Sequence, residues 1–231
     1  MSDLRRFPEP VLARLEARYG PHVMELRARG WAIDHRGHTL EHRATKGVEV
    51  RQDEEDESTA QPVIAGYATT YDQPYDMFGG PEKGGWSETV AAGAADRSVK
   101  NQDDVYSFFD HSGLPLGRSS AGTLTLESQK LGLWTETAPD MDSPYSKEIV
   151  SRVQRGELDA MSFAFQVLAE DWDDEFTSRT IREVKLFDVS VVSFPANPHT
   201  VAGMLGDEDL VPRSVGRSLR LARAQRDRLV S

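Results

Sequence analysis

The chain has 231 residues, 38% of them hydrophobic, a formal net charge of −11 and no cysteine. That composition excludes a disulfide framework, a thiolate zinc site and a cysteine nucleophile. No run of about 18 apolar residues is present, so no membrane span is expected, and an acidic body is a poor partner for nucleic-acid phosphates.

In chain order, residues 8–30 read as helix. Val11, Leu12, Leu15, Tyr19, Val23 and Leu26 recur at near-helical spacing around Gly20-Pro21, with Pro8 and Pro10 near the start. The preceding residues lack the apolar stretch of a signal peptide. A charged, apolar-poor stretch, RQDEEDESTAQ, follows at 51–61 and reads as a linker. Residues 1–60 are therefore expected to be a helical extension with an acidic linker, and 61–205 the folded domain. The tail, 206–231, carries Arg213, Arg217, Arg220, Arg223, Arg226 and Arg228, a basic segment suited to an acidic or phosphate-rich partner.

Within the domain, PVIAGYATTY at 62–71 reads as a strand, as do DVYSFFD at 104–110 and GTLTLE at 122–127. A turn at 128–130 joins the last of these to 131–138, which predicts a hairpin. Ser143-Pro144 opens a helix carrying Tyr145, Ile149 and Val153 on one face, and Gly156 ends it. A short helix fits 91–99. Residues 161–168 and 180–194 read as strands joined by a polar, acidic turn around 171–178. The expected class is α+β, mainly antiparallel β, with a small barrel and flanking helices.

Three residues attract chemical interest. In Met161–Leu168, alternation puts Met161, Phe163, Phe165 and Val167 on one face and Ser162, Ala164 and Gln166 on the other. Ser162 thus faces away from the core, as a plain surface serine or as a nucleophile beside a substrate. His111 stands where an apolar strand meets a loop, suited to a base, a metal ligand or a surface position. Asp188 interrupts the apolar run VKLFDVSVVSF. A carboxylate there must be compensated, either by Arg118, Arg152 or Arg182 or by a histidine in a catalytic arrangement. His35, His38 and His42 are helically spaced within a charged segment and read as solvated. No histidine pair in the domain has metal-ligand spacing, and Glu170, Asp171, Asp173, Asp174 and Glu175 read as a solvated loop. The sequence has no GxSxG elbow, SxxK motif or phosphate loop.

Several stretches in order resemble the prohead maturation proteases of tailed phages, a family related to the herpesvirus assemblins. They are IAGYATTYDQPY, ETVAAGAAD, FFDHSGLPLGRSSAGTLTLES, LGLWTETAP, VQRGELDAMSFAF and LFDVSVVSFPANPHT. The resemblance spans about residues 62–204 and implies an assemblin-like barrel and a serine endopeptidase. It puts the nucleophile at Ser162 and the general base at His111. The third member falls on Asp188, with His199 as the alternative by analogy with the second histidine of assemblins. Gly117, Arg118 and Ser119 become candidates for the oxyanion loop. No cofactor or metal is implied. The implied substrates are the scaffold, the scaffolding segment of the major capsid protein, and the chain itself, inside a procapsid assembling in the host bacterial cytoplasm. Self-association is compatible with this reading; nucleic-acid and membrane partners are not expected. The rival expectation is an inactive protease-fold scaffold or capsid-assembly protein.

Overall fold

The structure, a computed structural model, describes residues 7–19, 31–33, 39–51 and 61–193. Helices are α1 (Glu9–Tyr19), α2 (Asp96–Lys100) and α3 (Pro144–Gln154). Strands β1 to β5 are Trp31–Ile33, Thr39–Lys46, Val48–Arg51, Val63–Thr70 and Tyr75–Met77. Strands β6 to β8 are Trp86–Val90, Tyr106–Phe109 and Ser112–Arg118. Strands β9 to β12 are Leu124–Ser128, Gly132–Thr137, Ala160–Trp172 and Ser178–Val192.

The α+β class with mainly antiparallel pairing is what the structure has. The larger sheet runs β1-β2-β11-β12-β6-β5, with β7 also pairing β12 and β8 pairing β7. The smaller runs β3-β4-β10-β9. Among the described residues two pairings are parallel, β12 with β6 and β12 with β7. The fifteen residues of β12 are long enough to serve both partners, β6 at Ser178–Ile181 and β7 at Asp188–Val191. The expected barrel is instead an open pair of sheets among the described residues. The chain passes from the larger sheet to the smaller between β2 and β3, at Gly47, whose φ of 116° suits glycine. There the backbones come so close that a Cβ on Gly66 would lie 2.4 Å from the Gly47 carbonyl oxygen.

The main core lies between these strands. Ala68, Leu133, Phe163, Phe165, Ile181, Leu186 and Val189 bury together, drawn from β4, β10, β11 and β12. Phe163 and Phe165 face inward as their alternation predicts, and their rings stack at 4.3 Å. Helix α3 buries Ile149, Val150 and Val153 against Val48, Ile64, Met161 and Val191. Its Pro144 is at the expected start and Gly156, with φ of 71°, follows its end; the Ser143 side chain makes no cap bond. The hairpin of β9 and β10 is formed as expected.

Two expectations need correction, and a third is met over the part that is described. The helix read over 8–30 is described only over Glu9–Tyr19; residues 20–30 lie outside the described ones. Residues 39–51, read as extension, instead form β2 and β3 and enter both sheets. Helix α1 and the Phe7 that precedes it also pack home, burying Phe7, Val11 and Leu15 against Trp86. No helix among the described residues is long and apolar enough to cross a membrane.

Candidate active site

Register brings the site together. Across the larger sheet Ala44, Ser162, Ser190 and Phe108 form one row. His42, Ala164, Asp188 and Tyr106 form the row two residues along. Residues in such rows share a face. The small Ala44 and Ala164 leave room among the polar side chains, and the β7–β8 turn delivers His111 onto this surface.

His111 bridges the other two residues. Its Nε2 lies 2.7 Å from Ser162 Oγ and its Nδ1 lies 2.6 Å from Asp188 Oδ1. Ser190 Oγ donates to the same Asp188 oxygen at 2.8 Å. Asp188 is therefore compensated by an imidazole and a hydroxyl. The arginines considered for it are engaged elsewhere: Arg118 with Asp104, Arg152 with Glu148 and Glu157, and Arg182 with Asp171. With Asp188 ionised, Nδ1–H donates to it and Nε2 is left to accept the Ser162 hydroxyl proton. Ser162 points away from the core, as alternation predicts, but it is not on an open surface: its exposure is 1%.

His42, read from the sequence as solvated, is instead largely buried on β2 and joins the site as a fourth residue. The His42 ring stacks on that of His111 at 3.9 Å with 23° between planes. Burial lowers the His42 pKa to about 4; the neighbouring His111 and Arg43 add to the shift and Asp188 opposes it. His42, His111 and Asp188 offer ligand atoms within 4.8 Å of one another. As arranged, both His111 nitrogens already have partners, Asp188 and Ser162, and His42 joins them through its ring stack.

Residues 46–209 match the model of the caudovirus prohead serine proteases. That span is more than half of the chain and includes Ser162, His111 and Asp188. The chain belongs to this family. Among solved structures it is similar to the bacteriophage T4 capsid assembly protease, gp21, with a TM-score of 0.46 and 10% identity over 68% of this chain and 98% of that one. No curated protein matches it.

The remaining candidates of this family member fare differently. The Arg118 amide donates to Thr123 Oγ1 at 2.9 Å and the Ser119 amide to the Val105 carbonyl at 2.9 Å. Both of these N–H groups are engaged within the protein as arranged. Gly117 pairs with Ser107 in the β7–β8 ladder. Arg118 itself forks onto Asp104 and lies over the Tyr106 ring at 4.6 Å. His199 lies outside the described residues, as do His22, His35 and His38.

Sequence reasoning also missed a charged cluster behind the site. Arg43 and Arg179, both buried, bind Glu41 and Glu88, also buried. Glu170 binds Arg179 from the rim. Tyr75 Oη and Trp86 Nε1 donate to Glu88 at 2.5 and 3.2 Å. Burial alone would raise the Glu88 pKa, but Arg43 and Arg179 bring it below the usual carboxylate range. Every charge here has partners, which is the condition for keeping ions in a core.

Proposed function

We propose that this chain is a serine endopeptidase of procapsid maturation, with Ser162 as nucleophile, His111 as general base and Asp188 as the third member. The observation that carries the reading is the continuous hydrogen-bond chain Ser162–His111–Asp188 in a member of the prohead serine protease family. His111 Nε2 takes the hydroxyl proton as Ser162 Oγ attacks a peptide carbonyl, and returns it to the leaving amine. Asp188 holds Nδ1–H and so fixes the tautomer that leaves Nε2 free to accept. It also stabilises the imidazolium formed on proton transfer, and Ser190 holds the carboxylate in turn. None of these steps calls for a metal or an organic cofactor.

The substrates in this reading are the scaffold and the scaffolding segment of the major capsid protein. Confinement with many substrate copies offsets weak affinity for any one of them. The chain's own tail is a further substrate. GDEDLVP at 206–212 combines acidic residues, Gly206 and Pro212 between the domain and the basic tail, and the cut is proposed there. The test is mass spectrometry of capsid proteins and of the chain itself, co-expressed as the parent and as Ser162→Ala. Processing of both in the parent alone supports the reading. Capsid-protein cleavage that persists with Ser162→Ala overturns it.

A further inference from the structure

The turn that carries His111 is held in an unfavourable conformation by its neighbour. Phe109 pairs with Ser112, so Asp110 and His111 are the two central residues of a tight hairpin. Their φ angles are 49° and 54°, both left-handed. Such turns favour Asn or Asp first and Gly second. Asp110 suits its place; His111 occupies the glycine position with a full side chain, in a backbone region that disfavours one. Something must hold it there.

We propose that Asp110 is the positioning residue that does so, by clasping the turn to the end of β12. The inference rests on the protease reading above. The parallel ladder of β7 and β12 ends at Phe109 and Val191. Asp110 extends it by one residue in three ways. Its amide donates to the Val191 carbonyl at 2.9 Å. Its Oδ1 accepts the Ser193 amide at 2.8 Å, and its Oδ2 accepts the Ser193 hydroxyl at 2.9 Å. The same strand carries Asp188 and Ser190 on the site face. β12 therefore supplies both the acid that His111 bonds and the anchor that aims His111 at it. Without the carboxylate, the backbone of the turn keeps only the amide bond to Val191 beyond the ladder, and the contacts of His111 itself must hold the left-handed angles. The turn can then relax toward right-handed angles, and the imidazole swings off the Ser162 hydroxyl.

The experiment uses the full chain with a cleavable capsid-protein segment, and measures kcat, KM and the rate of Ser162 labelling by a fluorophosphonate. Asp110→Ala should lower kcat and the labelling rate by about tenfold or more, the scale of small misplacements of reacting groups, with KM held within about twofold. Asp110→Asn keeps an acceptor and tolerates the left-handed region, and should recover most of the loss. Asp110→Gly separates the clasp from turn preference: it is as impaired as Asp110→Ala if the clasp matters, and behaves like the parent if only the left-handed angle does. Parent-like kcat in Asp110→Ala or Asp110→Gly overturns the proposal. A parent chain that the probe does not label fails the protease reading instead.

Discussion

Strand β2 divides two polar regions by the width of one residue. His42 and Ala44 point to the Ser162 face, while Glu41 and Arg43 point into the ion cluster with Glu88 and Arg179. Both regions bury polar groups, and both satisfy them, but in different currencies. Behind the sheet, two guanidinium groups and the carboxylates around them are locked by multiple charge-assisted bonds. No proton there has anywhere to go. On the site face, one carboxylate, two hydroxyls and an imidazole are joined by single hydrogen bonds. The ion cluster fixes where β2, β6 and β12 lie; the other face uses that placement.

The sharpest way to separate the two regions is to remove one atom from the site. Ser162→Ala should abolish processing, a loss on the order of 10⁴-fold or more, while the urea midpoint stays close to that of the parent. A large drop in stability with Ser162→Ala would mean that the hydroxyl is structural, like the ions behind it.

Asp188→Asn comes next. It preserves shape but favours the wrong imidazole tautomer, and should cost about 10³- to 10⁴-fold in kcat. His199→Ala should change kcat little. The reverse order, read in steady-state kinetics on the two purified variants, would move the third role to His199.

The ion cluster gives the opposite signature. Glu88→Ala leaves two buried guanidinium groups short of a partner, a loss of about 3–5 kcal/mol. Urea unfolding at neutral pH measures it. Retained stability would show that the cluster is replaceable. The depressed Glu88 and Glu41 values also predict acid sensitivity. Their stabilisation is present above the unfolded carboxylate range near 4.5 and is lost as pH falls through the folded values below it.

The same contrast explains what the sequence could reveal. Strands β4, β7, β9, β10, β11 and β12 are legible because apolar residues mark their inner faces. Strands β2 and β6 are not, because the ion cluster occupies theirs. In TLEHRATK the inward residues are Glu41, Arg43 and Thr45, and in WSETV Glu88 lies between Trp86 and Val90. A pattern reader takes such residues for a solvated segment. Missing β2 hid His42 as well, since its place beside His111 follows only from the register of β2 on β11. Ser162 was legible as a residue turned from the core, and Asp188 as a carboxylate needing compensation. That the compensation is His111 and Ser190 depends on a turn bringing position 111 back over the strand, which spacing along the chain does not encode. Strand β8 escaped notice because its exposed first half, SGLP, looks like loop.

The smallest expected effect tests whether His42 belongs to the site face electrically as well as geometrically. In the unfolded chain a histidine titrates near 6.5; in the fold His42 is lowered to about 4, first by burial and then by His111 and Arg43. Between those values the unfolded chain binds a proton that the folded chain does not, so acidification favours unfolding. The loss begins near pH 6.5 and is complete near pH 4, amounting to at most roughly 3 kcal/mol. His42→Phe keeps a ring to stack on His111 and removes the titration. Its unfolding free energy should therefore gain on the parent as pH falls from 7.5 to 5, while kcat at pH 7.5 stays within a few fold. Glu41 and Glu88 are present in both chains and drop out of the difference. Urea titrations of the two proteins at pH 7.5, 6 and 5 decide the matter. A stability difference that does not change with pH would mean that His42 titrates in the fold as it does in water, and that the ring beside His111 is not held in its neutral form by the site.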